Sequence, residues 1–120
     1  IKISKNLKLE DLITSSNGSP GQLFRNIEIW NELPDEIIRK LDSPINNIQE
    51  ILEISKLISE KLEIDQQICL VNFIQTIWWR NTKKIDLIEK LENLKFYLRK
   101  KIQPRLAWEI TFLKISMKDI

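Results

Sequence analysis

Residues 66–102 read QQICLVNFIQTIWWRNTKKIDLIEKLENLKFYLRKKI, and this stretch decides the fold. Its second half sets Ile85, Ile88, Leu91, Leu94, Leu98 and Ile102 three or four residues apart. That spacing brings side chains to one face of an α-helix. The first half is apolar nearly all round, with Ile68, Leu70, Val71, Phe73, Ile74, Ile77, Trp78 and Trp79 wrapping the circumference. A helix of that kind is central and buried. Ile favours strands because it is β-branched, yet the periodicity overrides propensity here. The pattern predicts one helix over 66–80, capped by Asp65 and ended by Asn81-Thr82, and a second from Lys83 to Ile102.

The same punctuation continues outward. Pro104 breaks the axis, and Arg105 to Lys118 reads as a final helix with Leu106, Ile110 and Leu113 as its core stripe. Upstream, Ser43-Pro44 gives a cap-plus-proline start for a long helix lined by Ile48, Ile51, Leu52, Ile58 and Leu62. Pro34-Asp35-Glu36 puts carboxylates into a first turn, where the helix dipole favours them. Ser19 and Pro20 form the cap and first residue of a helix whose stripe is Leu23, Phe24, Ile27 and Trp30. Before it, Leu9, Leu12 and Ile13 keep helical spacing up to Asn17-Gly18, a left-handed stop. The expectation is an all-α bundle of about six or seven helices, with a seam near residues 33–44.

Composition narrows the function. The chain has 120 residues, the size of one domain, with no His, one Cys and two Gly. A His general base, a Cys-His pair, an intramolecular disulfide and a tetrahedral Cys/His zinc site are all excluded, as is a glycine-rich phosphate loop. No Asp/Glu constellation replaces them, so no catalytic residue, cofactor or metal is expected. The lone Cys69 in an apolar run is expected to behave as a small buried hydrophobe in a reducing, cytoplasmic setting. No apolar stretch approaches the ~20 residues that span a bilayer, so no membrane role is expected. The chain begins at Ile1 rather than Met, which suggests a piece of a longer protein.

Charge is uneven. Residues 1–60 hold seven Lys/Arg against ten Asp/Glu, and residues 61–120 hold twelve against seven. The asymmetry can orient a partner or merely mark two solvated faces. Lys95, Arg99, Lys100, Lys101 and Arg105 make a basic cluster, either a solvated face or a surface for DNA phosphate or an acidic protein, with few stacking aromatics interleaved, which disfavours single-strand binding; Lys95 and Arg99 also stand as candidate subunit-interface residues. Trp78 and Trp79 point about 100° apart on one helix. Trp78 shares a face with Ile74 and Val71 and marks the core, whereas Trp79 lies above Gln75, Asn72 and Ile68, at the edge of the core or on a helix–helix seam or partner surface. Arg105 and Glu109 stand one turn apart and are placed at an interface with a neighbour.

Two stretches carry a resemblance. Gly18-Ser19-Pro20-Gly21 inside a helical pair resembles the lid-domain joint of delta-prime subunits of the bacterial DNA polymerase III clamp loader. The segment 85–115, with Gln103-Pro104-Arg105-Leu106 and Trp108-Glu109, is similar to the end of that family's C-terminal domain in its cyanobacterial form. ATP-binding relatives carry an Arg two residues after the lid Ser, where this chain has Gly21. The resemblance therefore implies a stator that does not hydrolyse ATP, and sets gamma/tau as the competing assignment. It implies residues 1–33 as the tail of the lid domain and 34–120 as a collar domain, with an AAA+ domain upstream. It further implies gamma/tau and delta subunits as partners, DNA contacted only through the complex, and no small-molecule substrate. Beside this assembly role stand two other readings: a helical nucleic-acid-binding domain using the basic 95–105 surface, and an adaptor docking a peptide between its helices.

Overall fold

The computed structural model describes residues 18–117 without a break, preceded by Glu10, Leu12, Ile13 and Ser16. Six helices follow in order: α1 (Pro20–Glu32), α2 (Asp35–Lys40), α3 (Ile48–Lys61), α4 (Ile64–Thr82), α5 (Ile85–Arg99) and α6 (Pro104–Met117). Glu10, Leu12 and Ile13 are helical as well, and there is no strand among the described residues. The expectations on Leu9, Asn17 and Lys118 fall outside the described residues.

α4 is the central element. It packs along α5 and receives α1, while α6 lies against both α3 and α5, and α2 leans on α3. Leu70, Val71, Phe73, Ile74, Ile77 and Trp78 of α4 are all buried. Trp30 of α1 meets Phe73 edge-on at 5.3 Å between ring centroids, and Phe112 of α6 meets Trp78 at 6.1 Å. One continuous core thus runs from Leu12 and α1 through to Ile115.

Helix starts differ from the predicted ones in instructive ways. Ser19 caps α1 as expected, its Oγ accepting from the Gln22 N–H at 3.2 Å, with Pro20 at the first position. α2 opens behind Pro34 with Asp35 and Glu36 in its first turn. α3 does not begin at Ser43-Pro44. It begins at Ile48, where Asn47 accepts from the Glu50 N–H at 3.1 Å. Nor does Asp65 cap α4: Glu63 does, in a capping box with Gln66, whose side-chain oxygen accepts from the Glu63 N–H at 2.9 Å. In both cases a neighbouring residue takes the capping role, Asn47 four residues after Ser43 and Glu63 two before Asp65.

Four apolar stripes also depart in part from their predicted members. In α1 the buried residues are Asn26, Ile29 and Trp30, and Phe24 is 72% exposed. α3 buries Ile51, Ile54, Ser55 and Ile58 and leaves Ile48 outside; α5 buries Leu87, Leu91, Leu94 and Leu98, leaving Ile85 and Ile102 outside. The largest correction is in α6, where Leu106 and Ile110 are exposed and Leu113 only half-buried. Its inner face is Ala107, Trp108, Thr111, Phe112 and Ile115. With apolar residues on both faces, spacing alone cannot choose, and the face with two large aromatic rings buries more surface.

Candidate subunit interface

Among the described residues, the outward face of α6 carries an apolar stripe that no other helix covers. Leu106, Ile110, Leu113 and Met117 recur at intervals of four, three and four residues, one stripe of a helix. Leu106 is 45% exposed and Met117 62%. A helix apolar all round belongs in an interior. Among the described residues, α6 is covered on its inner face only.

Arg105 and Glu109 flank that stripe. The Arg105 Nε lies 3.4 Å from a Glu109 carboxylate oxygen, with both side chains partly exposed. The pair follows from their i,i+4 positions, and it sits beside the apolar stripe rather than beneath the core. Trp108, next to Glu109 in sequence, faces fully inward. Near the start of α6, Phe96 and Ile102 are also exposed, and the Lys100 ammonium lies 5.4 Å from the Phe96 ring centroid.

The remaining predicted residues do not gather at this face. The Lys95 side chain is only 11% exposed; its ammonium donates to Asn72 at 2.8 Å and pairs with Glu92 at 2.6 Å. Gln75 of α4 completes the cluster, donating to the Ile88 carbonyl and to Glu92, both at 3.3 Å. Lys95 therefore ties α5 to α4. Burial opposes ionisation of Glu92, but hydrogen bonds from Lys95 and Gln75 and the charges of Lys95 and Arg99 outweigh it, lowering its pKa. Arg99 is exposed at the end of α5. Trp79 lies on the outer side of α4, 39% exposed.

At the other end, Gly18 adopts a positive φ of 78°, as its place before the Ser19 cap requires. Pro20 follows as the first residue of α1, and Gly21 stands exposed in its first turn with open space where a side chain would go. Nothing in the backbone demands glycine at that position. Cys69 is half-buried, and burial, which outweighs the opposing pull of Arg25 and is assisted by Asp65, raises the pKa of its thiol. No group of three or more metal-ligating side chains occurs among the described residues, and none of the described helices is long and apolar enough to cross a membrane.

Sequence reasoning placed Arg105 and Glu109 correctly relative to each other but missed the stripe beside them, assigning Leu106 and Ile110 to the core. The signal was present: the second apolar face of 104–117 was legible, and only its destination was not.

Comparison with known proteins supplies the context. The family described as cyanobacterial DNA polymerase III delta prime, C-terminal domain, matches residues 2–115. No curated protein and no solved structure gives a match. That match spans nearly the whole chain, including Gly18-Ser19-Pro20-Gly21 and the Gln103-Pro104-Arg105-Leu106 entry into α6. The chain belongs to the family of cyanobacterial DNA polymerase III delta-prime C-terminal domains and is a component of the clamp loader.

Proposed function

We propose that this domain is a non-catalytic assembly module, and that the outward face of α6 seats a helical domain of a neighbouring clamp-loader subunit. The observation that carries the reading is the second apolar stripe of α6, with Leu106, Ile110 and Met117 exposed and Leu113 half-buried between them, in a helix whose other face is already committed to the core. Burying such a stripe against a partner supplies the hydrophobic contribution that a soluble monomer forgoes. Arg105 and Glu109 sit at its rim, where charges set orientation and partner choice more than affinity.

On this reading gamma/tau and delta subunits are the partners, DNA is met only through the complex, and no cofactor or small-molecule substrate is needed. Residues 1–33 form the lid-domain tail and 34–120 the collar domain. The nucleic-acid alternative loses support, because three of its five cations are engaged within the chain: Lys95 with Glu92, Arg105 with Glu109 and Lys100 over Phe96.

The test is Leu106→Glu with Ile110→Glu, introduced into the full-length subunit. The isolated domain should melt within a few degrees of wild type, since both side chains are exposed, while assembly of the clamp loader should weaken about tenfold or more. Arg105→Ala with Glu109→Ala should likewise change domain stability by about 1 kcal/mol or less and weaken assembly more modestly. Wild-type assembly by the Leu106/Ile110 variant would refute the proposal.

A further inference from the structure

The apolar stripe of α6 ends on Met117, the single methionine of the 120 residues. Met117 stands four residues beyond Leu113, in the last turn of the helix, and is the most open member of the stripe. It is 62% exposed, against 45% for Leu106 and 38% for Ile110, while Leu113 packs partly on the core. The Ser116 Oγ donates to the Leu113 carbonyl at 2.9 Å and holds that last turn, so the helix carries the thioether to the end of the seam.

A thiol and a thioether are the two sulfur groups of this chain, and they differ in what a peroxide can do with them. Cys69 is half-buried, and burial raises the pKa of its thiol, so little of the reactive thiolate forms at neutral pH. A thioether needs no ionisation, and its oxidation follows access. Met117 is therefore the sulfur that an oxidant meets first.

The chemistry is a two-electron oxygen transfer. The Met117 sulfur lone pair attacks one oxygen of hydrogen peroxide, the S–O bond forms as the O–O bond breaks, and the other oxygen leaves with both protons as water. Sulfur is oxidised to the sulfoxide and the peroxide is reduced. In the free subunit the new oxygen is hydrated and costs the fold nothing, since the side chain is exposed. Buried against an apolar partner, the same oxygen loses its water with no donor to replace it. A cation drawn in to satisfy it, such as Lys114 one turn back, would bring a charge into the seam.

We propose that Met117 makes assembly through α6 sensitive to peroxide: the thioether is open to oxidation in the free subunit, its sulfoxide weakens docking, and docking shields it. This regulation rests on the reading of α6 as the docking face.

The test uses the full-length subunit with its clamp-loader partners, hydrogen peroxide as the probe, and mass spectrometry of the peptide that carries Met117. In the free subunit Met117 should gain one oxygen with helical circular dichroism unchanged. The oxidised subunit should assemble about fivefold more weakly or worse, and methionine sulfoxide reductases A and B with a dithiol should restore it. Met117→Leu, compared with itself before and after peroxide, should show no change, and Met117→Gln should assemble weakly without peroxide. Peroxide added after assembly should leave Met117 unoxidised. Undiminished assembly by the Met117-oxidised subunit, an equal peroxide effect in Met117→Leu, or oxidation in the complex as fast as in the free subunit overturns the proposal. Leu106→Glu with Ile110→Glu, measured alongside, separates the two levels. If that variant fails to assemble while Met117 oxidation has no effect, α6 is the docking face and only its redox sensitivity is refuted; if neither has an effect, the docking face itself is refuted.

Discussion

The indole N–H of Trp108 donates to the Gln67 side-chain oxygen at 2.8 Å, and the Gln67 amide in turn donates to the Leu62 carbonyl at 3.0 Å. All three residues are buried. This relay joins α6 to the start of α4 and satisfies the last carbonyl region of α3, a run of polar groups that water cannot reach. Trp78 solves the same problem differently, donating to the Leu41 carbonyl at 2.8 Å. An unpaired buried polar group costs about 1–3 kcal/mol. Gln67→Leu, of similar volume, strands both the indole N–H and the Leu62 carbonyl, so chemical denaturation should show a loss of about 2–4 kcal/mol. Adding Trp108→Phe removes one of the stranded groups, and the double variant should lose less than the sum of the two single ones. An additive result would mean that the two residues are not coupled. Sequence reading assigned Trp78 to the core correctly, because its neighbours one turn back are apolar, and left Trp79 between the edge of the core and an outer surface, where it is 39% exposed. It could not find Gln67, since a Gln in an apolar helix reads as a surface position until its partner 41 residues away is known.

Helix ends show what sequence signals conceal. The expected breaker after α5 was Pro104, yet the helix ends at Arg99. Lys101 adopts the left-handed conformation with φ of 61°, the Ile102 N–H bonds to the Tyr97 carbonyl at 3.2 Å, and the Lys101 N–H bonds to the Leu98 carbonyl at 3.3 Å. That is a Schellman closure with Lys where Gly is usual. A non-glycine side chain there costs about 1–2 kcal/mol, partly offset by the unfolded-state entropy that glycine would add. Lys101→Gly should therefore raise stability by about 0.5–1 kcal/mol, read as a shift in denaturation midpoint at constant slope. No rise would place the compensation elsewhere in the turn. The α4–α5 contact offers a pH test. The lowered Glu92 pKa means that its contribution to stability is fully present above the unfolded-state value and is lost as pH falls through the folded one. Wild type should melt above Glu92→Gln at neutral pH, and that advantage should disappear in acid. An advantage that persisted in acid would show that charge at Glu92 is irrelevant to the contact.

At the scale of the whole molecule, helix class and element order were legible, because periodicity and Pro or capping residues act locally. Which face of each helix turns inward was not, because α1, α3 and α6 each carry apolar residues on two sides, and only the assembled neighbours decide between them. The division at residues 33/34 is the sharpest whole-molecule question that the packing raises. Leu33 is fully buried, Trp30 stacks edge-on against Phe73 of the central helix, and α1 is further tied to α4 by Arg25 with Asp65 at 3.8 Å and by Gln66 with Glu32 at 3.2 Å. The polar ties are exposed and contribute little; the aromatic contact carries the weight. If the lid-domain tail and the collar melted separately, truncating Trp30 would affect only the first of two transitions. A core that runs through both predicts otherwise. Trp30→Ala opens a cavity beside Phe73 and should cost about 3–5 kcal/mol, lowering the melting temperature of the entire domain by more than about 10 °C. Calorimetry should show one transition in both proteins, with equal calorimetric and van't Hoff enthalpies in wild type. Two resolved transitions, with only the lower one moved by Trp30→Ala, would establish the seam as a true boundary and make α1 a separable arm docked on the collar.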